Sequence, residues 1–172
     1  TRIVYTIRQQ HEFLESYYLQ RIHQGDSISF ADFIKRIDLS QLHWSPIIET
    51  LKREFGADRV SVMDFGVIRK GQATFLTKFI RSHISQSMDM DLVYDAVNHP
   101  SISSRGLEIA LRVNPLLEPS ERGLVRRFLQ KNFSNQTEPR PVLLSDKQRT
   151  ELVEMYQAEY ASLVETSSTS WT

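Results

Sequence analysis

Two short apolar segments rich in β-branched residues constrain what this chain can fold into. Residues 2–7 read RIVYTI and residues 59–63 read RVSVM, the pattern of β-strands, and the first is expected to be buried on both faces. Roughly 50 residues with helical periodicity separate them, and a connection of that length joins parallel strands rather than the strands of a hairpin. The sequence therefore predicts an α/β fold that opens with a strand, a tight turn and a helix.

Apolar residues recur at helical spacing through most of the remaining chain, which predicts a helix-rich C-terminal half. Ser29 and Ser145 are predicted to cap helices, Pro46 suits a first helical turn, and Gly56 suits a helix end. The predicted helices cover residues 12–22, 30–37, 46–55, 73–85, 103–117, 120–133 and 146–164. The apolar stripe of the last helix is predicted to comprise Leu152, Met155, Tyr156 and Tyr160.

The 172 residues, 40% hydrophobic and 24% charged, suit one globular domain. We assign that domain to residues 1–165 and predict a disordered tail at 166–172 and a loop at 87–100. Two strands do not make a stable open sheet by themselves, and the chain begins directly in a predicted core strand. We therefore expect further strands before Thr1, so that the domain is incomplete at its N-terminus.

Composition excludes several classes of function. The absence of cysteine excludes disulfide scaffolds, thiolate metal centres and thiol nucleophiles, and the five histidines show no metal-ligand spacing. The formal net charge of zero argues against a nucleic-acid-binding protein. No apolar run is long enough to span a membrane. We predict no metal, no nucleic-acid partner, no transmembrane segment and a cytoplasmic location, and the oligomeric state stays open.

The segment from the first strand into the first helix contains the residues best suited to bind a ligand. Arg8 follows the strand directly, and Ser16 lies about two turns into the helix. Ligands of open α/β sheets bind beyond the carboxyl ends of the strands, where a planar guanidinium suits a phosphate. A serine hydroxyl and the helix N-terminus supply further donors to the same anion. These residue types equally occur as an ordinary strand cap and an ordinary helical serine.

The order Arg8, Ser16, Tyr17, Tyr18 resembles the 3′-phosphate-binding motif of sulfotransferases, above all of bacterial carbohydrate sulfotransferase-like proteins. The similarity extends as a looser pattern from residue 2 to residue 160. It implies a P-loop-like parallel sheet with flanking helices. It also implies 3′-phosphoadenosine 5′-phosphosulfate as donor, with Arg8 and Ser16 holding its 3′-phosphate.

The chain departs from that family at its N-terminus. The family's 5′-phosphosulfate loop and its usual general base precede the arginine, and only seven residues precede Arg8 here. The resemblance is therefore to the second part of such an enzyme, and it leaves the catalytic residues unknown. Whether the chain is an enzyme stays open: the resemblance implies sulfotransferase activity only if an N-terminal portion completes the domain.

Other candidates have a functional and a structural interpretation, and the structural one is favoured for each. His11 is expected to be a partly exposed helical residue, and Trp44 is expected to pack at a helix entry rather than stack on a sugar. A second set comprises an Arg-Lys-Gly turn, an acidic stretch and a basic helical face. Their residues are Arg69, Lys70 and Gly71; Asp89, Asp91 and Asp95; and Arg122, Arg126, Arg127 and Lys131.

The leading hypothesis is a sulfotransferase that transfers a sulfuryl group to a hydroxyl, in particular of a carbohydrate. The alternative is a non-catalytic interaction module of the same fold that lacks the 5′-phosphosulfate loop. A third hypothesis is a glycosyltransferase or kinase-like enzyme that shares the strand–arginine–helix arrangement by convergence. A preference for nucleotides that carry a 3′-phosphate separates the first hypothesis from the third.

Overall fold

The computed structural model describes residues 2–83 and 100–169 of the chain. Its strands are β1 (Ile3–Ile7) and β2 (Val60–Asp64). Its α-helices are α1 (Gln10–His23), α2 (Phe30–Arg36), α3 (Ser45–Phe55), α4 (Gln72–His83), α5 (Ser104–Val113), α6 (Arg122–Asn132) and α7 (Asp146–Thr169). Short 3-10 helices cover Leu39–Leu42, Ala57–Arg59, Phe65–Lys70 and Asn114–Leu116.

The two strands pair in parallel, which confirms the sequence prediction and the α/β character of the chain. Their register runs from Ile3 opposite Val60 to Ile7 opposite Asp64, so both carboxyl ends meet at one edge of the sheet. The prediction that the first strand is buried on both faces is wrong. Ile7 is fully buried but Thr6 is exposed, because successive residues of a strand face opposite sides.

The described residues divide into two compact units. The first comprises residues 2–10, 40–83 and 151–169 and contains the sheet. Ile7 of β1, Ile48 of α3 and Val62 of β2 form its buried apolar cluster. Partly buried side chains pack against that cluster, namely Tyr5, Trp44, Tyr160, Leu163 and Val164. The sheet is thus covered by α3 and by the C-terminal part of α7.

The second unit comprises residues 11–39 and 100–150. Tyr18 of α1 is 1% exposed, and its ring meets those of Phe30 and Phe33 at centroid distances of 5.0 and 5.3 Å. Its hydroxyl donates a hydrogen bond of 2.9 Å to the carbonyl of Ile28. Burial raises the pKa of this phenol. Tyr18 is therefore a core residue of this unit.

Most predicted helix boundaries agree with the structure because they depend on local signals. The Ser29 hydroxyl accepts a hydrogen bond from the N–H of Asp32, and Ser145 and Gln148 cap the start of α7 reciprocally. Pro46 occupies the first turn of α3, and Gly56 ends it with φ of 94°.

Three predicted segments differ from the structure or extend beyond its described residues. The helix predicted at 103–117 ends at Val113 and continues as the 3-10 helix that contains Pro115, because proline removes a helical hydrogen bond. The predicted loop at 87–100 lies outside the described residues except for Pro100. Helix α7 continues through Thr169, which includes the first four residues of the predicted tail, and residues 170–172 lie outside the described part.

Candidate functional site

The carboxyl edge of the sheet carries Arg8, the residue that the sequence singled out. Arg8 directly follows β1, and its guanidinium carbon lies 4.1 Å from the ring centroid of Phe65, which directly follows β2. The carbonyl of Arg8 accepts a hydrogen bond of 2.9 Å from the indole N–H of Trp44. The Phe65 ring orients the guanidinium, and the bond from Trp44 fixes the main chain of Arg8.

Ser16, the other predicted phosphate ligand, is an exposed residue of α1. It lies six residues after Gln10, about 9 Å along the helix axis at 1.5 Å per residue. Arg8 belongs to the first unit and Ser16 to the second. Their joint binding of a phosphate stays a prediction.

A polar network centred on Glu159 lies at the amino end of α3. One carboxylate oxygen accepts a hydrogen bond of 2.8 Å from the main-chain N–H of Ser45. The other lies 3.1 Å from Nδ1 of His43 and 3.3 Å from the amide nitrogen of Gln10, which is 2% exposed. The side chain of Glu159 is itself only 12% exposed. It thus supplies the negative charge that a helix N-terminus favours.

The network keeps Glu159 ionised. Burial raises the pKa of its carboxyl, but hydrogen bonds from Ser45 and His43 and the charge of His43 outweigh burial, so that the pKa lies below its usual value. A buried carboxylate with these partners is a fixed acceptor at neutral pH.

His43 is the titratable side chain that this network positions. Its Nδ1 faces Glu159, and its ring meets Tyr156 edge-on with centroids 5.1 Å apart. The His43 side chain is 42% exposed, and in the described part of the chain its Nε2 has no hydrogen-bond partner. A histidine bonded to a carboxylate through Nδ1 presents Nε2 as a proton acceptor. The arrangement therefore has the composition of a general base.

Asp64 ends β2 and completes this edge of the sheet. Its carboxylate accepts a hydrogen bond of 2.6 Å from the N–H of Gly66 and another from the hydroxyl of Tyr160. These bonds close the turn after β2 and attach it to α7. They hold Phe65, and with it the surface on which Arg8 lies, in place.

Among the secondary candidates, the structural interpretation of Trp44 is confirmed, since its ring packs against the apolar cluster and meets Tyr5 edge-on. The expectation for His11 is wrong. This residue is 7% exposed rather than partly exposed, because it lies on the inward side of the first turn of α1. Arg69 and Lys70 are exposed in the 3-10 helix after β2, as expected of a solvated turn.

The acidic stretch of Asp89, Asp91 and Asp95 lies outside the described residues. Within residues 2–83 and 100–169, no group of three His, Cys, Asp or Glu side chains is arranged to hold a metal ion. None of the helices in these ranges combines the length and the apolar character that crossing a membrane requires. Arg126, Arg127 and Lys131 are exposed on α6, whereas Arg122 is half-buried.

Comparisons with protein-family models, with curated proteins and with solved structures find no match for this chain. A functional proposal therefore depends on the geometry of the site and on the resemblance of the Arg8–Ser16 segment.

Sequence reasoning missed Glu159, although a signal for it was present. Glu159 falls three residues after Tyr156 and seven after Leu152, within the stripe that the periodicity assigned to the core. A carboxylate in an apolar stripe indicates a buried partner. Met155 was assigned to the same stripe, but this is wrong, because its side chain is 54% exposed.

Proposed function

We propose that this chain is a sulfotransferase-like protein of P-loop-like α/β fold that binds 3′-phosphoadenosine 5′-phosphosulfate at the carboxyl edge of the β1–β2 sheet. The observation that carries the proposal is the position of Arg8 directly after β1. Its guanidinium lies on the Phe65 ring, and its main chain is fixed by Trp44. Nucleotides bind at this edge in open α/β sheets. The resemblance of the Arg8–Ser16 segment to the sulfotransferase motif supplies the identity of the nucleotide.

In this proposal Arg8 and the hydroxyl of Ser16 bind the 3′-phosphate, and a hydroxyl, in particular of a carbohydrate, accepts the sulfuryl group. The bond from sulfur to the 5′-phosphate oxygen breaks while a bond from sulfur to the acceptor oxygen forms. His43 takes the proton of the acceptor hydroxyl, and Glu159 orients the imidazole. Such transfer depends on positioning and on neutralising the charge of the transferred group. A cytoplasmic location remains part of the proposal.

The non-catalytic alternative also has an observation in its favour. In nucleotide enzymes a helix N-terminus commonly holds a phosphate. Here the carboxylate of Glu159 already accepts the N–H of Ser45 at the amino end of α3. This internal carboxylate occupies the position at the start of α3 that a phosphate would take in a nucleotide enzyme. The arrangement is therefore also compatible with an interaction module that lacks the donor loop.

Calorimetric titration of 3′,5′-diphosphoadenosine into the full-length gene product tests the proposal, with adenosine 5′-monophosphate as the comparison ligand. We expect the diphosphate to bind at least about tenfold more tightly, since a charged hydrogen bond contributes about 1.5–3 kcal/mol. Arg8→Ala should remove that preference. Arg59→Ala is the matched control, because Arg59 is exposed and precedes β2 at the opposite edge of the sheet.

Equal affinity for the two nucleotides would overturn the proposal. An equal loss in Arg8→Ala and Arg59→Ala would overturn it as well, because the effect would then be general electrostatics. A folded protein that binds neither nucleotide would favour the interaction module.

A further inference from the structure

A cavity of about 370 Å³ opens in the second unit, and neither Arg8 nor Ser16 lines it. It lies beside the last two turns of α1, the turn that follows this helix, and the start of α6. Its lining is polar. The lining residues are Tyr17, Arg21, Gln24, Gly25, Asp26 and Arg122.

Arg122 lies in the wall of this cavity because Gly25 has no side chain and leaves room for it. Gly25 has φ of 104°, and a Cβ atom at this position would lie 2.6 Å from Cδ and 2.7 Å from Nε of Arg122. The arginine side chain therefore packs directly on the bare α-carbon. Its Nε is buried and has no hydrogen-bond partner within the described ranges of the chain. A buried guanidinium nitrogen without an acceptor costs free energy of folding, so the fold holds Arg122 at this cavity at the expense of stability.

The charges around the cavity favour an anion. Asp26 is the acidic lining residue, and it is engaged by Arg21 with a nitrogen–oxygen distance of 2.5 Å. Arg122 makes no ion pair with any residue in the described part of the chain. The lining thus carries two guanidinium groups against one carboxylate. Arg126, one helical turn beyond Arg122, adds a further positive charge on α6.

The turn that carries Gly25 and Asp26 is held rigidly. The side-chain amide of the buried Asn114 donates to the carbonyls of Ile22 and Asp26, at 2.8 and 2.7 Å. The main-chain N–H of Asp26 also bonds to the carbonyl of Arg21 at 3.0 Å. A preorganised wall reduces the entropy that ligand binding would otherwise cost.

We propose that this cavity is a binding site for the phosphate or sulfate group of a small polar molecule, with Arg122 as its principal ligand. The planar guanidinium matches the tetrahedral oxyanion, and Arg21 lies on the same wall as a second cation. The ring of Tyr17, which is 37% exposed, offers an adjacent apolar face to the body of the molecule. The volume suits a ligand of roughly monosaccharide size. The site is independent of Arg8 and of the nucleotide proposed above.

Calorimetric titrations with five probes test the site and distinguish the sources of the oxyanion. The probes are inorganic phosphate, inorganic sulfate, glucose 6-phosphate, glucose 6-sulfate and glucose. We expect saturable binding of an oxyanion and none of glucose. Tighter binding of a sugar ester than of the free ions would assign the site to esters, and equal binding would assign it to the ions themselves.

Two variants test the role of Arg122, with a third as the matched control. Arg122→Gln should raise the dissociation constant at least about tenfold, the loss expected of a charged hydrogen bond. Gly25→Ala should have a similar effect without changing the charge, because the new methyl group displaces the Arg122 side chain. Arg127→Gln removes the same charge from an exposed position of α6 and should change the dissociation constant less than about threefold.

Equal effects of Arg122→Gln and Arg127→Gln would overturn the proposal, as would the absence of saturable binding to the wild-type protein. Arg8→Ala should leave oxyanion binding at this cavity unchanged. The two proposed sites can therefore be confirmed or contradicted independently. If a variant does not fold, the wild-type protein still gives an answer. Phosphate should protect Arg122 from modification by phenylglyoxal, read by peptide mass spectrometry, and modification at an unchanged rate would contradict the assignment.

Discussion

The carboxylate of Glu159 accepts a hydrogen bond from the main-chain N–H of Ser45 at 2.8 Å, across 114 residues of sequence. This bond satisfies one of the free N–H groups at the start of α3, which Trp44 leaves without a side-chain cap. A residue of α7 therefore performs the capping role that a neighbouring side chain usually performs. The same carboxylate orients His43, so one residue links the packing of α7 to the candidate general base.

Replacing Glu159 by alanine should lower the free energy of unfolding by about 1–3 kcal/mol, because the Ser45 N–H, Gln10 and His43 lose a shared acceptor. Glu159→Gln keeps one acceptor oxygen and should cost less. Glu154→Ala is the control, since Glu154 is exposed on the same helix, and it should change stability by no more than about 0.5 kcal/mol. Urea unfolding measures all three. Equal losses of unfolding free energy for Glu159→Ala and Glu154→Ala would contradict the capping role of Glu159.

Lowering the pH should reduce the folding stability of the protein through protonation of Glu159. The folded state lowers the pKa of Glu159 from its usual 4.5, so its contribution to stability is complete above that value. The contribution is lost as the pH falls below 4.5 and through the lower folded pKa. The stability difference between wild type and Glu159→Gln should therefore shrink with falling pH. A difference that stays constant down to about pH 3 would contradict this assignment.

Protonation of His23 should destabilise the second unit as the pH falls, and at a higher pH than the protonation of Glu159. Burial, together with the charge of Arg126, lowers the pKa of this imidazole from its usual 6.5. The unfolded chain then takes up a proton more readily, so stability is complete above 6.5 and falls as the pH drops through the folded pKa.

Thermal unfolding of wild type and His23→Gln between about pH 7.5 and about pH 5 measures this effect. Wild type should lose more stability than the variant over that range. Arg126→Gln should reduce the loss, because one cause of the lowered pKa is removed. Parallel curves for wild type and His23→Gln would show that His23 does not titrate differently on folding.

Asn114 should be among the most sensitive polar positions of the second unit. Its buried amide donates to two main-chain carbonyls, those of Ile22 and Asp26. Asn114→Ala removes both bonds. The carbonyl of Ile22 keeps the N–H of Gly25 as a donor, but the carbonyl of Asp26 loses the amide, so we expect a loss of about 1–3 kcal/mol. Asn114→Asp should cost more at neutral pH, since a carboxylate would face two acceptors, and should recover partly in acid as the protonated carboxyl donates once. Chemical denaturation at two pH values tests the pair, and an equal cost at both would argue against this donor role.

Two helical glycines should respond to alanine in opposite directions. A Cβ on the buried Gly106 of α5 would lie 2.8 Å from the carbonyl oxygen of Phe133, a main-chain atom that cannot move aside. We expect Gly106→Ala to cost about 1–3 kcal/mol from overpacking. At Gly123 of α6 the nearest atom would be 3.9 Å away, so Gly123→Ala should stabilise by about 0.5–1 kcal/mol. Melting temperatures that move in the same direction would contradict the packing argument.

Local signals account for what could be predicted of the fold. The caps at Ser29 and Ser145, the helix end at Gly56 and the parallel pairing of the two strands all depend on neighbouring residues or on connection length. The position of Arg8 after a strand was predictable for the same reason. Its role in binding a 3′-phosphate was inferred from resemblance and remains a prediction.

Period and capping act within a few residues, so the order of strands and helices, the position of Arg8 after β1 and the exposure of Arg126, Arg127 and Lys131 could be predicted from the sequence. The remaining features come from the packed structure. It places Glu159 on the N-terminus of α3, buries His11, exposes Met155 and packs Arg122 against Gly25. Each of these depends on contacts between residues distant in the chain or on which side of a helix is covered, and burial of that kind follows from the packing of whole elements rather than from local pattern.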